Sequence, residues 1–383
     1  MRRPAVRTHP LSFSKRPMVE LRGPGSSEIE VSIFGRGYGE AILFHVGDGR
    51  WVLVDSLLDA DGAPAPLKYL AEIGVAPASA LSLIVATHWH DDHVGGIAAA
   101  YGVAPNATLA VPLAMSRTEV AAFLANARNG GSERLSSGVK ELDDLAITRH
   151  EQRRQPIRLA KANNVLLRYD KLTHGQVVAV EAISPCDADV EAFVAFLAGT
   201  PRPSQGQRLM PFDRNDVSVA LWVSIGEHRV LLGADLESTA ETERGWHAVL
   251  ASPARPSGGA AMIKIPHHGS SNAHHQPLWD EMLTREPLAA LTTWNRGRKL
   301  PQVTDVERIL ALTPHAYATS RIDRKPGARP AAVLKTLAEA NARVRATQPQ
   351  AGHVRLRLDL TVPGAGWRVD LFNDALSLRD FAA

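Results

Sequence analysis

Residues 84–96 read IVATHWHDDHVGG. Three histidines and two aspartates fall in the six positions from His88 to His93, after an apolar run and before a glycine pair. The run LSLIVAT reads as a buried strand. His88 and His90 are two apart, so an extended segment aims both side chains the same way. Asp92 and His93 follow where the chain turns into a helix at HVGGIAAA, and Gly95 and Gly96 allow close backbone packing. These nitrogen and oxygen donors suit zinc, manganese or iron. Such a buried set without a metal would carry a heavy desolvation and repulsion cost.

Working outward, two other apolar runs end in candidate ligands. LLGADLE places Asp235 after one, and IKIPHHGSSN places His267 and His268 after another. One loop alone would suit a closed structural zinc. Ligands at three strand ends instead imply an open two-metal site, with Asp235 as the natural bridge. Ser270, Ser271 and Asn272 follow in a turn-prone stretch, to contact an oxyanion or to cap the next helix. TTWNRGRKLPQ carries Arg296, Arg298 and Lys299 in a compact basic loop, which reads equally as a solvated turn or an anion clamp. Trp89 and Trp294 are either stacking surfaces for a base or packing residues.

The rest of the chain sets bounds. It has 383 residues, 45% hydrophobic and 22% charged, which is ordinary globular composition with room for a large core. A net charge of +3 permits an anionic substrate without requiring one. The single cysteine, Cys186, excludes an intrachain disulfide and a multi-cysteine zinc site, and reads as a partly buried small residue. No apolar run is long enough to span a membrane. The basic start MRRPAVRTHPLSFSKRP lacks the apolar centre of a secretory signal, so a cytoplasmic location is expected.

Residues 29–56 read as three β runs separated by glycine turns. Gly35-Arg36-Gly37-Tyr38-Gly39 departs from a dinucleotide loop, because Glu40 takes the sixth position and a strand follows, so a tight strand-to-strand turn is expected. Helices are expected from Ser116 to Gly130, over Leu236–Leu250, over Thr304–Leu312 and over Ala331–Arg343. Clustered β runs interrupted by single helices suggest two mixed sheets with helices outside. The divisions are a tail over 1–27, a domain over 28–320 with a helical insertion at about 113–162, and a helix and strand pair over 321–383 packing on the same domain.

THWHDDHVGG resembles the HxHxDH signature of the metallo-β-lactamase fold superfamily. The wider pattern is similar to the hydrolase domain of ComEC-type competence proteins and their stand-alone soluble relatives. It is carried by GRGYGEAILFHVGDGRWVLVDS, NDVSVALWVSIGEHRVLLGADLE, IPHHGSSN and LPQVTDVERILALTPHAYATS, in the family's order. The resemblance implies an α/β fold, an αβ/βα four-layer sandwich with mixed β-sheets. It implies that His88 and His90 hold one metal, and that Asp92, His93 and His267 hold the other with Asp235 bridging. It favours His267 over His268 as ligand and leaves His268, with Asp92, to a catalytic role. Asp55 matches an aspartate that supports the histidine loop from behind. Where many members carry a third histidine for the first metal, this chain has Asn215 and Asp216, and Asp216 is expected to act from behind the ligands. The other histidines, among them His45 and His353, match no ligand position and read as surface or packing residues.

The expected function is a soluble metal-dependent hydrolase with two divalent ions, zinc first and manganese second, using a metal-bridged hydroxide. A phosphodiester, in a small anionic molecule or a nucleic acid, is the expected substrate, with Arg296, Arg298 and Ser270 as its contacts. Lactam, lactone or ester hydrolysis on the same fold, and a non-catalytic binding or regulatory role, are the alternatives.

Overall fold

In the computed structural model the described residues are 21–116, 137–154, 157–173, 175–199, 215–322 and 350–381. The helices expected at 116–130 and 331–343 lie outside them almost entirely.

The first sheet is built from β1 (Glu28–Gly35), β2 (Ala41–Gly47), β3 (Arg50–Val54), β4 (Leu81–Val85), β5 (Thr108–Pro112) and β6 (Arg158–Ala160). The second takes β7 (Asn164–Tyr169), β8 (Val178–Ala182), β9 (Leu221–Ile225), β10 (His228–Leu232), β11 (Ala260–Lys264), β12 (Leu283–Leu291) and β13 (Ala316–Ala318). The C-terminal strands serve both sheets: β14 (Gly352–Asp359) and β15 (Arg368–Phe372) extend the first beyond β1, and β16 (Leu376–Ser377) pairs with β13. Both sheets are mixed. β3 to β6 run parallel, as do β10 to β13, while the hairpins β1–β2, β2–β3, β8–β9 and β9–β10 are antiparallel.

Period-two alternation sorts the strand residues into layers. Ile42, Phe44, Val52 and Val54 pack between the sheets against Val180, Val223, Val230 and Met262. Leu43, Trp51 and Leu53 face outward onto Ala65, Leu70, Ile97 and Tyr101 of the covering helices. On the other side, Trp222, Leu231 and Ile263 meet Trp246, Leu278 and Ile309. The result is the expected αβ/βα sandwich. Inner strands such as β2, β4 and β11 are buried on both faces and read as near-continuous apolar runs, while β7 and β15 toward the sheet edges are partly exposed.

Two local outcomes differ from the sequence reading. The helix expected over Leu236–Leu250 is confined to Gly245–Ala251. Before it, Ser238 donates its backbone N–H to Asn272 O at 2.9 Å, and Gly245 sits at φ 56, so the chain is held in a loop against the histidine-bearing turn. The helix Ser137–Glu151 lies within the expected insertion, but Arg158–Ala160 pairs with β5 and belongs to the sheet itself. The GRGYG turn does join β1 to β2 as an antiparallel pair. No helix among the described residues is long and apolar enough to cross a membrane.

Candidate metal centre

The carboxyl ends of β3, β4, β10, β11 and β12 carry Asp55, the His88–His93 loop, Asp235, the His267–His268 pair and Thr292. Open α/β sheets bind ligands at such strand ends, because loops leaving there are free to diverge while the strands hold their starts rigidly. Ligand atoms of Asp92, His93, Asp235 and His268, all buried, lie within 4.8 Å of one another. His93 Nε2 is 3.4 Å from Asp92 Oδ2 and 3.2 Å from Asp235 Oδ2. His268 Nε2 is 3.2 Å and 3.7 Å from the same two oxygens.

The imidazoles are oriented from behind. Asp55 accepts from the Thr87 backbone N–H and from Thr87 Oγ1, each at 2.7 Å, and His93 Nδ1 donates to its Oδ2 at 2.7 Å. Thr87 Oγ1, having spent its proton on Asp55, accepts from His88 Nδ1 at 2.9 Å. His268 Nδ1 faces Thr292 Oγ1 at 3.0 Å and Thr292 O at 3.2 Å, and that hydroxyl donates to Glu40 Oε2 at 2.5 Å. Each network assigns the proton to Nδ1 and leaves Nε2 as the lone-pair donor, the arrangement that orients metal-binding histidines.

The electrostatics suit a cation. His88 Nε2, His93 Nε2, Asp235 Oδ1 and Asn215 Oδ1 are buried atoms without a hydrogen-bond partner. Burial, with His93 and His90 nearby, holds the His88 imidazole well below its ordinary range, so it is neutral, the form that binds metal. For His93, burial acts downward, but the Asp235, Asp92 and Asp55 carboxylates override it and hold the ring well above that range. Burial raises the Asp92 carboxyl, yet His93 and His268 bring it down to about 2. A metal ion held among these carboxylates would supply the positive charge that they otherwise draw onto the His93 ring. The residues present therefore fit a metal centre.

The remaining candidates divide. Of the histidine pair, the structure brings His268 into the cluster and not His267. His267 turns to Glu237 Oε1 at 3.0 Å and Asn272 Oδ1 at 3.2 Å. Both residues have positive φ, 46° and 53°, and this tight turn sends adjacent rings in different directions. His90 is half-buried, its ring 4.6 Å from that of His88. Asp216 is ion-paired with Arg244. Asn215 donates Nδ2 to Glu237 Oε1 at 2.8 Å, leaving Oδ1 as the buried acceptor. Trp89 packs on Phe193, ring centroids 4.9 Å apart, and is a core residue. Ser270 closes the turn by backbone contacts, accepting from the Ala273 N–H at 3.2 Å. Arg296 and Arg298 are both exposed, but Arg298 donates to Gln302 Oε1 at 3.2 Å while Arg296 lies over Tyr38. Cys186 is half-buried, and burial with the Asp189 side chain pushes its thiol up to about 11, which leaves it unreactive.

Several supporting residues escaped the sequence reading. Lys264 is fully buried, with Nζ 2.7 Å from Glu40 Oε1, 2.8 Å from Ala234 O and 3.5 Å from Asp235 Oδ1. Glu40, Thr292 and Glu237 were likewise not singled out. The signal for Lys264 and Glu40 was present, because a lone charge beside or within an apolar strand requires a partner.

Comparison with known proteins places this geometry. Residues 34–162 match the family model of the metallo-beta-lactamase superfamily. No curated protein matches the sequence. Among solved structures, Zn(2+)-bound PqqB from Methylobacterium extorquens is similar at 13% identity over 59% of this chain and 56% of its own, with a TM-score of 0.30. Rubredoxin oxygen:oxidoreductase from the anaerobe Desulfovibrio gigas is similar at 12% identity over 56% of this chain and 41% of its own, with a TM-score of 0.26. The chain thus spans roughly half the length of these solved proteins. With the HxHxDH loop at the carboxyl end of β4 and two helix-covered mixed sheets around it, the chain carries a metallo-β-lactamase superfamily domain in the metallo-β-lactamase fold.

Proposed function

We propose that the protein is a metal-dependent hydrolase of phosphodiesters. The observation that carries this reading is the buried convergence of Asp92, His93, Asp235 and His268 on one point. These four would hold one ion. His88 and His90, with Asp235 bridging and Asn215 Oδ1 as the further donor, would hold a second. Two such ions, when bound, supply Lewis acidity and lower the pKa of water enough to provide a nucleophile near neutral pH. Zinc is the first expectation, and manganese the second, because an amide oxygen in place of an imidazole suits a harder ion.

The protein's own groups set the stage for that chemistry. Asp55, Thr87 and Thr292 fix the rings, so ligand geometry needs no reorganisation during reaction. Lys264 and Glu40 hold the floor of the site, with the ammonium beside Asp235. His267, half-buried at the rim and paired with Glu237, is left to face substrate. Arg296 is exposed and has no ion-pair partner among the described residues, which supports an anionic ester.

Metal analysis followed by a panel of bis-p-nitrophenyl phosphate, single-stranded DNA, nitrocefin and a lactone tests the reading. We expect about two ions per chain, as in two-metal hydrolases generally, and turnover of the phosphodiesters. Arg296→Ala should weaken their binding by about 1.5–3 kcal/mol, the worth of a charge-assisted hydrogen bond. Arg298→Ala should stay within about 0.5 kcal/mol of wild type. Turnover of the neutral esters with none on phosphodiesters would reject the substrate class.

A further inference from the structure

Two loops meet beside the metal centre: the β1–β2 turn through Tyr38, and the loop Trp294–Leu300 that follows β12. Trp294 and Leu300 exchange both backbone hydrogen bonds, at 2.8 and 2.9 Å, so the basic NRGRK segment is a closed tip. The Asn295 N–H donates to Gly37 O at 2.6 Å, and the Glu40 N–H donates to Asp92 O at 2.8 Å. The turn is therefore tied on one side to the basic tip and on the other to a candidate ligand residue.

The glycines of the turn follow from this squeeze. Gly37 has φ 84, and a Cβ there would stand 2.2 Å from Asn295 Nδ2. Gly39 has φ 99, and a Cβ would stand 2.9 Å from Leu57 Cβ. Between the two, Tyr38 stands on a closely packed turn. Its half-buried ring lies 5.3 Å from Trp294 at an interplanar angle of 47°, and Arg296 Cζ lies 3.2 Å above its centroid. Trp294 in turn is 5.5 Å from the His268 ring. A row of flat groups thus runs from a buried candidate ligand to an exposed guanidinium. Burial and the nearby Asp92 carboxylate push the Tyr38 phenol up to about 12, so it stays neutral in the physiological range. Packing alone leaves unexplained why the row opens to solvent and ends in an exposed cation.

We propose that Tyr38, Trp294 and Arg296 form a stacking wall that takes the nucleobase of the substrate while the adjoining phosphodiester lies at the metal centre. The proposal rests on the phosphodiesterase reading and narrows its substrate to nucleotides or single-stranded nucleic acid. Indole, phenol and guanidinium planes all stack on bases, with little sequence preference because every base has a π face.

Two measurements on the full chain test it. The first compares thymidine 5′-(p-nitrophenyl phosphate) with methyl p-nitrophenyl phosphate, which share a leaving group and differ in the base. The second is calorimetric titration with thymidine 5′-monophosphate and with inorganic phosphate. We expect kcat/KM and affinity to favour the nucleoside compound by on the order of tenfold, within the range one stacked base provides. Tyr38→Leu and Trp294→Leu should each remove most of that ratio, and Tyr38→Phe, which keeps a ring, should retain it. Cleavage of both esters without preference, and no advantage of thymidylate over phosphate, would overturn the wall and leave the phosphodiesterase reading standing. An advantage that survives both leucine variants would overturn the wall as well. Tyr38-dependent and Trp294-dependent binding of thymidylate with cleavage of neither ester would keep the wall and remove the phosphodiesterase reading.

Discussion

The molecule buries two polar clusters rich in charge and imidazole, and they are built on opposite rules. One is the candidate metal centre. The other lies on the outer face of the first sheet, where β1 and β14 pair. There Glu30 and Ser32 alternate with the inward Ile29, Val31 and Ile33, and His353, Arg355 and Arg357 alternate with Val354, Leu356 and Leu358. Glu30 accepts from Ser32 Oγ at 2.6 Å, Tyr69 Oη at 2.8 Å and Arg357 Nε at 2.6 Å. Arg355 donates Nε and NH2 to Asp370 at 3.1 and 2.8 Å. His353 meets Ser32 Oγ at 2.8 Å, with its faces against Phe34 and Phe372. In this cluster each carboxylate faces a guanidinium. In the candidate metal centre the carboxylates of Asp92 and Asp235 and the Nε2 atoms of His93 and His268 face one another, and the cation Lys264 stands to one side of Asp235. Buried charge is expensive in both places. In the first cluster each carboxylate meets that cost with a guanidinium, and what stays buried without a hydrogen-bond partner is one Nη1 donor on each of Arg355 and Arg357. In the second the unpartnered atoms include ring nitrogens and a carboxylate oxygen, which a proton or a metal ion would satisfy. The distinction lies in where the unpartnered atoms point, not in composition.

The sharpest way to break the comparison is Asp235→Ala. Loss of the carboxylate that adjoins both His93 and His268 should abolish turnover and lower the occupancy of both metals. The drop in affinity should exceed the roughly 10–100-fold that follows loss of a supporting hydrogen bond. Adding zinc or manganese at a hundredfold over its Kd should stabilise the wild type by about 2.7 kcal/mol, and a chelator should remove that gain. Asp235→Ala should show neither effect. Wild-type metal content and activity in this variant would disprove the bridge.

The next effect separates the clusters by stability. Arg357→Met should leave Glu30 buried without its cation, at a cost of about 3–5 kcal/mol in urea unfolding, with metal content unchanged. If metal content falls along with stability, the clusters are coupled through the sheet and the contrast drawn above fails.

The contrast was only half legible in the sequence. Alternation in GHVRLRLDL and EIEVSIFG marks polar residues facing one side of a sheet, and the dense donors of THWHDDH mark a site on sight. The strand ends carrying Asp55 and Asp235 followed from apolar runs. The His267–His268 choice did not, because two adjacent residues with positive φ point apart in a way that spacing cannot encode. Glu40 and Lys264 are far apart in sequence, and only the layering of two sheets pairs them across the interior. Asp216, beside Asn215 in sequence, is ion-paired with Arg244, which also contacts Asp189 at 3.4 Å, a pairing that spacing along the chain does not announce.

The smallest expected effect uses His353 to sharpen the contrast. Burial, then the neighbouring Arg355 and Arg357, hold this imidazole well below its ordinary range, so it is neutral in the fold. In the unfolded chain it titrates near 6.5. Below that pH the unfolded state binds a proton that the folded state refuses, so stability is present above pH 6.5 and is lost as pH falls toward the folded pKa. The slope for one such group is about 1.4 kcal/mol per pH unit. His353→Phe keeps a flat ring between Phe34 and Phe372 and cannot titrate, though it gives up the contact with Ser32. Urea unfolding of both proteins between pH 7 and 5, in chelator so that metal release does not contribute, should show the wild type losing stability more steeply by about this slope. Because His88 is also held neutral by burial and is present in both proteins, its contribution cancels in the difference. Parallel pH profiles would mean that His353 accepts a proton in place. The outer cluster would then take up a third cation beside Arg355 and Arg357, and the contrast with the histidine-rich site would narrow.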